Sequence, residues 1–164
     1  MQRAFKGFKN RAAAGRQLAG ALEHYRHRDD VVVLALPRGG VPVAAEIAQH
    51  LDAPLDVFLV RKLGVPGHEE LAMGAIAEGE HRFVNRQVAD RLRIPNEAIT
   101  RSTLVETGEM RRCAQKYRGQ REMTPVRDRV VVIVDDGLAT GATMRVGVRA
   151  LSKAGGAATV MAAP

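Results

Sequence analysis

Cysteine occurs once in the 164 residues, as Cys113, so no disulfide can form within the chain. That usage suits a reducing compartment, and the cytoplasm is the expected location. Cys113 lies among charged residues in a helical pattern and reads as a bystander rather than a reactive thiol. Tryptophan is absent and only six residues are aromatic (four Phe, two Tyr), which argues against a base-stacking platform for nucleic acid. No apolar run approaches the roughly 18 residues of a transmembrane helix, so no membrane partner is expected. Acids are missing from the first 22 residues, which carry Arg3, Lys6, Lys9, Arg11 and Arg16. A transit peptide has that bias. The stretch "FKNRAAAGRQLAGALEHY" reads better as a surface helix, with Phe8, Leu18 and Leu22 available for packing.

Cations are plentiful. Lys and Arg number 25 against 18 Asp and Glu, a formal charge of +7. Such an excess favours anionic partners without separating phosphorylated metabolites from nucleic acid. A chain of this length buries roughly 70% of its unfolded surface, and residues 1–164 are expected to form one domain.

The pattern alternates between periods. A helix is predicted over about 10–25, a strand over 31–36 ("VVVLAL"), then a helix in "VPVAAEIAQHL". In that helix Pro42 sits in the first turn and Val43, Ile47 and Leu51 share a face. A second strand is predicted over 55–60 ("LDVFLV") and a loop over "GVPGHEE". "LAMGAIA" reads as a strand or the end of one, and "HRFVN" as a strand. Asn85 is a candidate cap for "RQVADRLRI", and Pro95 opens a long polar helix through about Tyr117. A third strong strand, "RVVVIV", a helix "TMRVGVRALSKAG" ending at Gly155 and Gly156, and a last strand "AATVMAA" follow. Strands that are apolar on both faces and alternate with helices imply a parallel sheet covered on both sides, a three-layer α/β/α fold. Ligands in such folds bind beyond the carboxyl ends of the strands, here after Leu36, Val60 and Val134.

The segment "VVVIVDDGLATGATM" is the most informative. Five apolar residues run into Asp135 and Asp136, and a small loop, Ala139, Thr140, Gly141, Ala142 and Thr143, leads into a helix. Glycine allows close backbone approach, the first helical turn offers outward amides and a favourable dipole, and the threonines add hydroxyls. The combination describes a phosphate cradle. It is not a Walker A loop, because Ala142 stands where lysine is needed, nor a dinucleotide fingerprint. One Asp at a strand end would be read as a turn or helix cap. Two adjacent ones before this loop suggest a ligand with phosphate and hydroxyls, or a metal.

This segment resembles the phosphoribosyl-diphosphate (PRPP) motif of the type I phosphoribosyltransferases, unbroken over about a dozen positions. The resemblance implies a phosphoribosyltransferase-like fold in which Asp135 and Asp136 hold the ribose hydroxyls, partly through Mg²⁺, while residues 139–143 hold the 5′-phosphate. It further implies that the loop after the first strand, Arg38, Gly39 and Gly40, binds pyrophosphate and contains a strained peptide bond. Arg61 and Lys62 match a pair that orotate-type members place before a mobile lid, here the segment with Gly64, Pro66 and Gly67. Glu69 and Glu70 depart from that pattern, since acids repel pyrophosphate, and His68 reads as a polar loop residue. Ala139 stands where hypoxanthine-guanine-type members carry an Asp, which disfavours that chemistry without establishing adenine.

The expected function is transfer of phosphoribose from PRPP to a nitrogen acceptor, a nucleobase, with release of pyrophosphate. Catalysis would rest on Asp135, Asp136, Arg38 and Lys62, with Mg²⁺ on the two acids. The alternative is a non-catalytic PRPP-binding regulator that contacts RNA. Arg111, Arg112, Lys116, Arg118 and Arg121 read as a solvated helix face before an RNA contact or subunit interface, so RNA is not the favoured partner. His24 and His27, at i and i+3, lack a third metal ligand. Family members continue past the last strand with a segment that walls the base site. The sequence is therefore expected to lack C-terminal elements, and either to self-associate or to be a shortened form.

Overall fold

Val31–Ala35 (β1) and Val130–Val134 (β6) are apolar at every position and buried throughout. Only the centre of a sheet covered on both faces accommodates such segments. In the computed structural model, which describes residues 8–139 and 141–164, they pair in parallel, with Val31 opposite Val130 and Ala35 opposite Val134. Leu55–Val57 (β2) flanks β1, and Ala158–Ala162 (β7) flanks β6, giving a four-stranded parallel sheet in the order β2-β1-β6-β7.

Alternation along the strands divides the core. Val31, Val33, Ala35, Val130, Val132 and Val134 face two helices, Arg11–Ala21 (α1) and Gly40–Leu51 (α2). The i, i+4, i+8 stripe of α2, Val43, Ile47 and Leu51, is fully buried there. Helix α1 lies close against α2: a Cβ on Gly15 would sit 2.6 Å from the Val43 carbonyl oxygen. The predicted helix over 10–25 ends earlier, and a 3₁₀ turn, Glu23–Tyr25, follows it. On the other face Val32, Leu34, Val131 and Ile133 meet Ala142–Lys153 (α5). Here too a glycine permits contact, because a Cβ on Gly147 would lie 2.7 Å from Ile133 Cδ1.

The layer on the α5 face departs from the expected arrangement. Val60–Val65 (β3), His68–Ala77 (β4) and His81–Val84 (β5) form a separate antiparallel sheet. The predicted strand 55–60 is therefore two pieces: β2 ends at Val57, and the chain leaves the parallel sheet through buried Phe58 and Leu59 to begin β3. The segment read as a loop, "GVPGHEE", is a hairpin whose turn is Pro66-Gly67, with Gly67 at φ 78° and Val65 opposite His68. Its register shifts on either side of Gly64, where a Cβ would lie 2.9 Å from the Glu69 backbone. Those irregularities, and exposed Glu69 and Glu70 within β4, erase the period-2 signal. The three-layer α/β/α frame holds, with this small sheet joined to α5 in the third layer.

Arg86–Arg91 (α3) is capped by Asn85, whose side chain accepts from the Val88 amide. Asn96–Arg118 (α4) starts after Pro95 as expected and packs Ile99 and Met110 against Leu63, Val65, Met73 and Ile76. Cys113 lies at the edge of that cluster. Arg118, read above as one of a solvated cluster, is buried instead. It donates to Asp56 at 3.1 Å and to Glu78, and Asp56 also accepts from the Thr124 amide. Two carboxylates from β2 and the β4 end make the burial of one guanidinium tolerable. Arg111, Arg112, Lys116 and Arg121 are exposed as expected.

Candidate active site

Because β1 and β6 end in register, the loops that follow them start side by side. The Leu36 amide donates to the Val134 carbonyl oxygen at 2.8 Å. The next residues interlock. A Cβ on Gly39 would lie 2.1 Å from Asp136 Oδ2, and one on Gly40 would lie 2.5 Å from the Val134 carbonyl oxygen. Both glycines have helical backbone, so space rather than conformation requires them here. Arg38 is exposed at the tip of this loop, and the peptide joining it to Pro37 is cis.

The two acids occupy different environments. Asp135 is the less exposed to solvent, and burial raises its pKa above the ordinary carboxylate value; its Oδ1 accepts the Asp136 amide at 2.8 Å. Asp136 is held below the ordinary value by Arg11, whose Nε and Nη2 donate to Oδ2 at 2.8 and 2.6 Å. The sequence reading missed Arg11. The residues are 125 positions apart, and only the docking of α1 on α2 brings that helix's first residue to the acid.

Beyond the acids, Gly141 takes a left-handed conformation at φ 66° and serves as the N-cap of α5 without a side-chain cap bond. The first turn of α5 contains no acid. Asp135, Ala139, Gly141, Ala142 and Thr143 surround a recess of about 140 Å³. The expected role of Thr140 lies outside the described residues.

Arg61 and Lys62 do not end a strand of the parallel sheet, as expected; they lie within β3, because the chain has already crossed to the second sheet. Arg61 Nε donates to Glu106 of α4 at 2.8 Å, which tethers β3 to α4. Lys62 Nζ reaches the Glu70 carbonyl oxygen at 3.2 Å across the hairpin. Both line a cavity of about 740 Å³ that also borders Pro37, Thr143, and Arg101 and Ser102 of α4. Glu69 and Glu106 line it too, so of the two hairpin acids Glu69 does stand near the cations. The hairpin and α4 thus wall the space beside the two glycine loops, a wall that no local pattern in the chain assigns.

His24 and His27 fail to converge: His24 tilts against Tyr25, and His27 is 3.6 Å from Asp52. Among the described residues no three His, Cys, Asp or Glu side chains cluster as a metal site. The adjacent carboxylates of Asp135 and Asp136 nevertheless suit Mg²⁺, which takes one or two carboxylates and completes its shell with water and substrate oxygens.

Known proteins resemble this chain. The chain is 45% identical over 159 residues to a Mycobacterium tuberculosis (strain CDC 1551) protein named "Putative phosphoribosyl transferase MT0597", covering 97% of this chain and 36% of the relative. It thus spans about a third of the length of the curated relatives it matches. The crystal structure of TT1426 from Thermus thermophilus superposes with a TM-score of 0.80 at 38% identity, covering 97% of this chain and 75% of that one. A purine phosphoribosyltransferase from Pyrococcus horikoshii shares the fold, with a TM-score of 0.54 at 21% identity over 98% of this chain and 77% of that one. The phosphoribosyl transferase domain family matches residues 6–163. On that match the chain belongs to the phosphoribosyl transferase family.

Proposed function

We propose that this protein transfers the 5-phosphoribosyl group of PRPP to a nitrogen acceptor, a nucleobase, and releases pyrophosphate. The observation that supports the reading is the interlock of Gly39 with the Asp136 carboxylate, which brings the Arg38 loop against the acid pair. Asp135 and Asp136 accept hydrogen bonds from the ribose 2′ and 3′ hydroxyls. Residues 139–143 receive the 5′-phosphate at the helix start. Arg38, Gly39 and Gly40 face the pyrophosphate, and Lys62 adds positive charge from β3. Asp135 and Asp136 would hold Mg²⁺, which would supply charge neutralisation on the diphosphate.

In the transfer, the acceptor nitrogen forms a bond to C1′ as the bond from C1′ to the diphosphate oxygen breaks. The electron pair leaves with pyrophosphate, and the acceptor N–H proton passes to solvent. Positive charge develops at C1′ and negative charge on the leaving group, so preorganised cations at the leaving side lower the barrier. No protein nucleophile is required. Arg11 competes with the sugar for Asp136, since its guanidinium donates to Oδ2, one of the two oxygens open to a hydroxyl.

Pyrophosphate release measured with Mg²⁺, PRPP and a panel of nucleobases tests the reading. Release with at least one base, lost in Asp135→Asn/Asp136→Asn, is the expected result. A PRPP-induced thermal shift without turnover of any base would instead support a non-catalytic PRPP-binding regulator.

A further inference from the structure

Among the described residues three large cavities border the second sheet, and two of them mix charges. The cavity of about 740 Å³ sets Arg61, Lys62 and Arg101 against Glu69 and Glu106. The cavity of about 640 Å³ sets Arg82, Arg111 and Arg118 against Glu78, Glu80 and Glu122. The third, about 520 Å³ between β4, β5 and α5, differs. Lys62, Arg86, Arg145 and Arg149 line it, and no acid does. Among the described residues none of these four cations makes an ion pair with a carboxylate.

The spacing sharpens the point. Arg145, Arg149 and Lys153 recur at i, i+4, i+8 on α5, so they form a stripe of like charge along one helix face. Like charges at i, i+4 destabilise a helix, and here Arg145 and Arg149 line a concavity instead of interleaving with acids. Lys153 lies 5.1 Å above the Phe83 ring, at the β5 wall of the same region. Phe83, Val84 and Val146 make that wall apolar. Planar guanidinium groups bind phosphate through paired N–H donors. A volume of this size takes a small organic molecule.

We propose that this cavity is a second ligand site, for a small organic phosphate whose body rests on the Phe83 wall. Its cations come from three elements, β3, α3 and α5, and an anion between them relieves their mutual repulsion. Thr143 borders both this cavity and the recess at the start of α5, so the two lie side by side. Lys62 is shared with the larger cavity beside it, whereas Arg86, Arg145 and Arg149 have no role in the proposed transfer, so the site does not depend on that reaction.

Calorimetry with adenosine 5′-monophosphate as the probe tests it, comparing the wild-type chain with Arg86→Gln/Arg149→Gln. Both arginines are exposed, so the fold survives their replacement, which a melting curve verifies. The expected result is a loss of AMP affinity of about tenfold or more, with the thermal shift caused by PRPP and Mg²⁺ unchanged. Unaltered AMP affinity in the variant would overturn the proposal, as would no AMP binding to wild type at millimolar concentration. Loss of the PRPP shift along with AMP binding would also overturn it, because the cations would then serve the phosphoribosyl site. Absence of a PRPP shift in the wild-type chain would count against the transfer reading alone and leave the AMP comparison intact.

Discussion

At the scale of single residues, Gly39 and Gly40 sit side by side yet guard different things. A methyl group at Gly39 meets the end of a side chain, the Asp136 carboxylate; at Gly40 it meets the backbone of β6. Gly39→Ala is therefore expected to displace Asp136 and weaken PRPP binding tenfold or more with little loss of melting temperature. Gly40→Ala is expected to cost stability, on the order of 1–3 kcal/mol, as overpacking does. Denaturant unfolding beside PRPP titration of both variants separates the effects. The acids divide similarly. Asp136, with its pKa lowered by Arg11, contributes stability that is present above the unfolded-state value and is lost as pH falls through the folded one. Asp135, raised by burial, contributes in the opposite sense: its term favours the fold at low pH and is lost as pH rises through the raised value. Ligand binding depends on pH as well, because Asp135 takes up its proton at a higher pH than an ordinary aspartate. PRPP affinity is expected to decline first through Asp135 on acidification, and a pH series of titrations checks it. Arg11→Ala should change stability by less than about 1 kcal/mol, as exposed ion pairs do, while strengthening PRPP binding by freeing Asp136. Weaker binding in that variant would mean that Arg11 helps to hold the ligand.

At the scale of elements, the buried Arg118 decides how α4 sits. Its guanidinium joins the last turn of α4 to Asp56 of β2 and to Glu78 just after β4, so three elements share one cation. Arg118→Ala leaves buried Asp56 and partly buried Glu78 without their counter-charge, and is expected to destabilise the protein by roughly 3–5 kcal/mol. Urea unfolding measures it, and a loss below about 1 kcal/mol would show that water replaces the guanidinium. The residue was legible only as one member of a basic run, because periodicity on α4 cannot distinguish a cation facing solvent from one facing two acids far away in sequence. The long helix itself was legible, since Pro95 marks its start and Gly119 ends it. Crossing from β2 to β3 was not. "LDVFLV" is continuously apolar after Asp56, and nothing local says that its two halves belong to different sheets.

At the scale of the whole molecule, an excess of seven positive charges biases every anion towards the chain. Raising salt is expected to weaken PRPP binding, as exposed charges lose their reach beyond about 10 Å at 0.1 M. Titrations at several salt concentrations check this, and a salt-independent affinity would assign the binding to short, desolvated contacts. Helices α1 and α2 on one face, and α5 with the second sheet on the other, hold the carboxyl ends of β1 and β6 in a fixed relation. Strand β7 forms one edge of the parallel sheet and leaves Met161 exposed. Among the described residues no helix is long and apolar enough to cross a membrane.

The sequence by itself determined the parallel core, the acid pair and the loop that leads into α5, because each is written in consecutive residues. An apolar run fixes a doubly buried strand, and the spacing of glycine and threonine fixes a helix start that invites an anion. Tertiary structure alone decided that Gly39 lies against Asp136, that Arg11 holds the same acid, that Arg118 is buried, and that Arg61 serves Glu106. It also decided that Arg86 of α3 faces the cationic stripe of α5. Each of these is a meeting of side chains from distant segments, set by the register of β1 with β6 and by the packing of helices on either face. A one-dimensional pattern records which groups a segment presents, and only the packed chain determines what they meet.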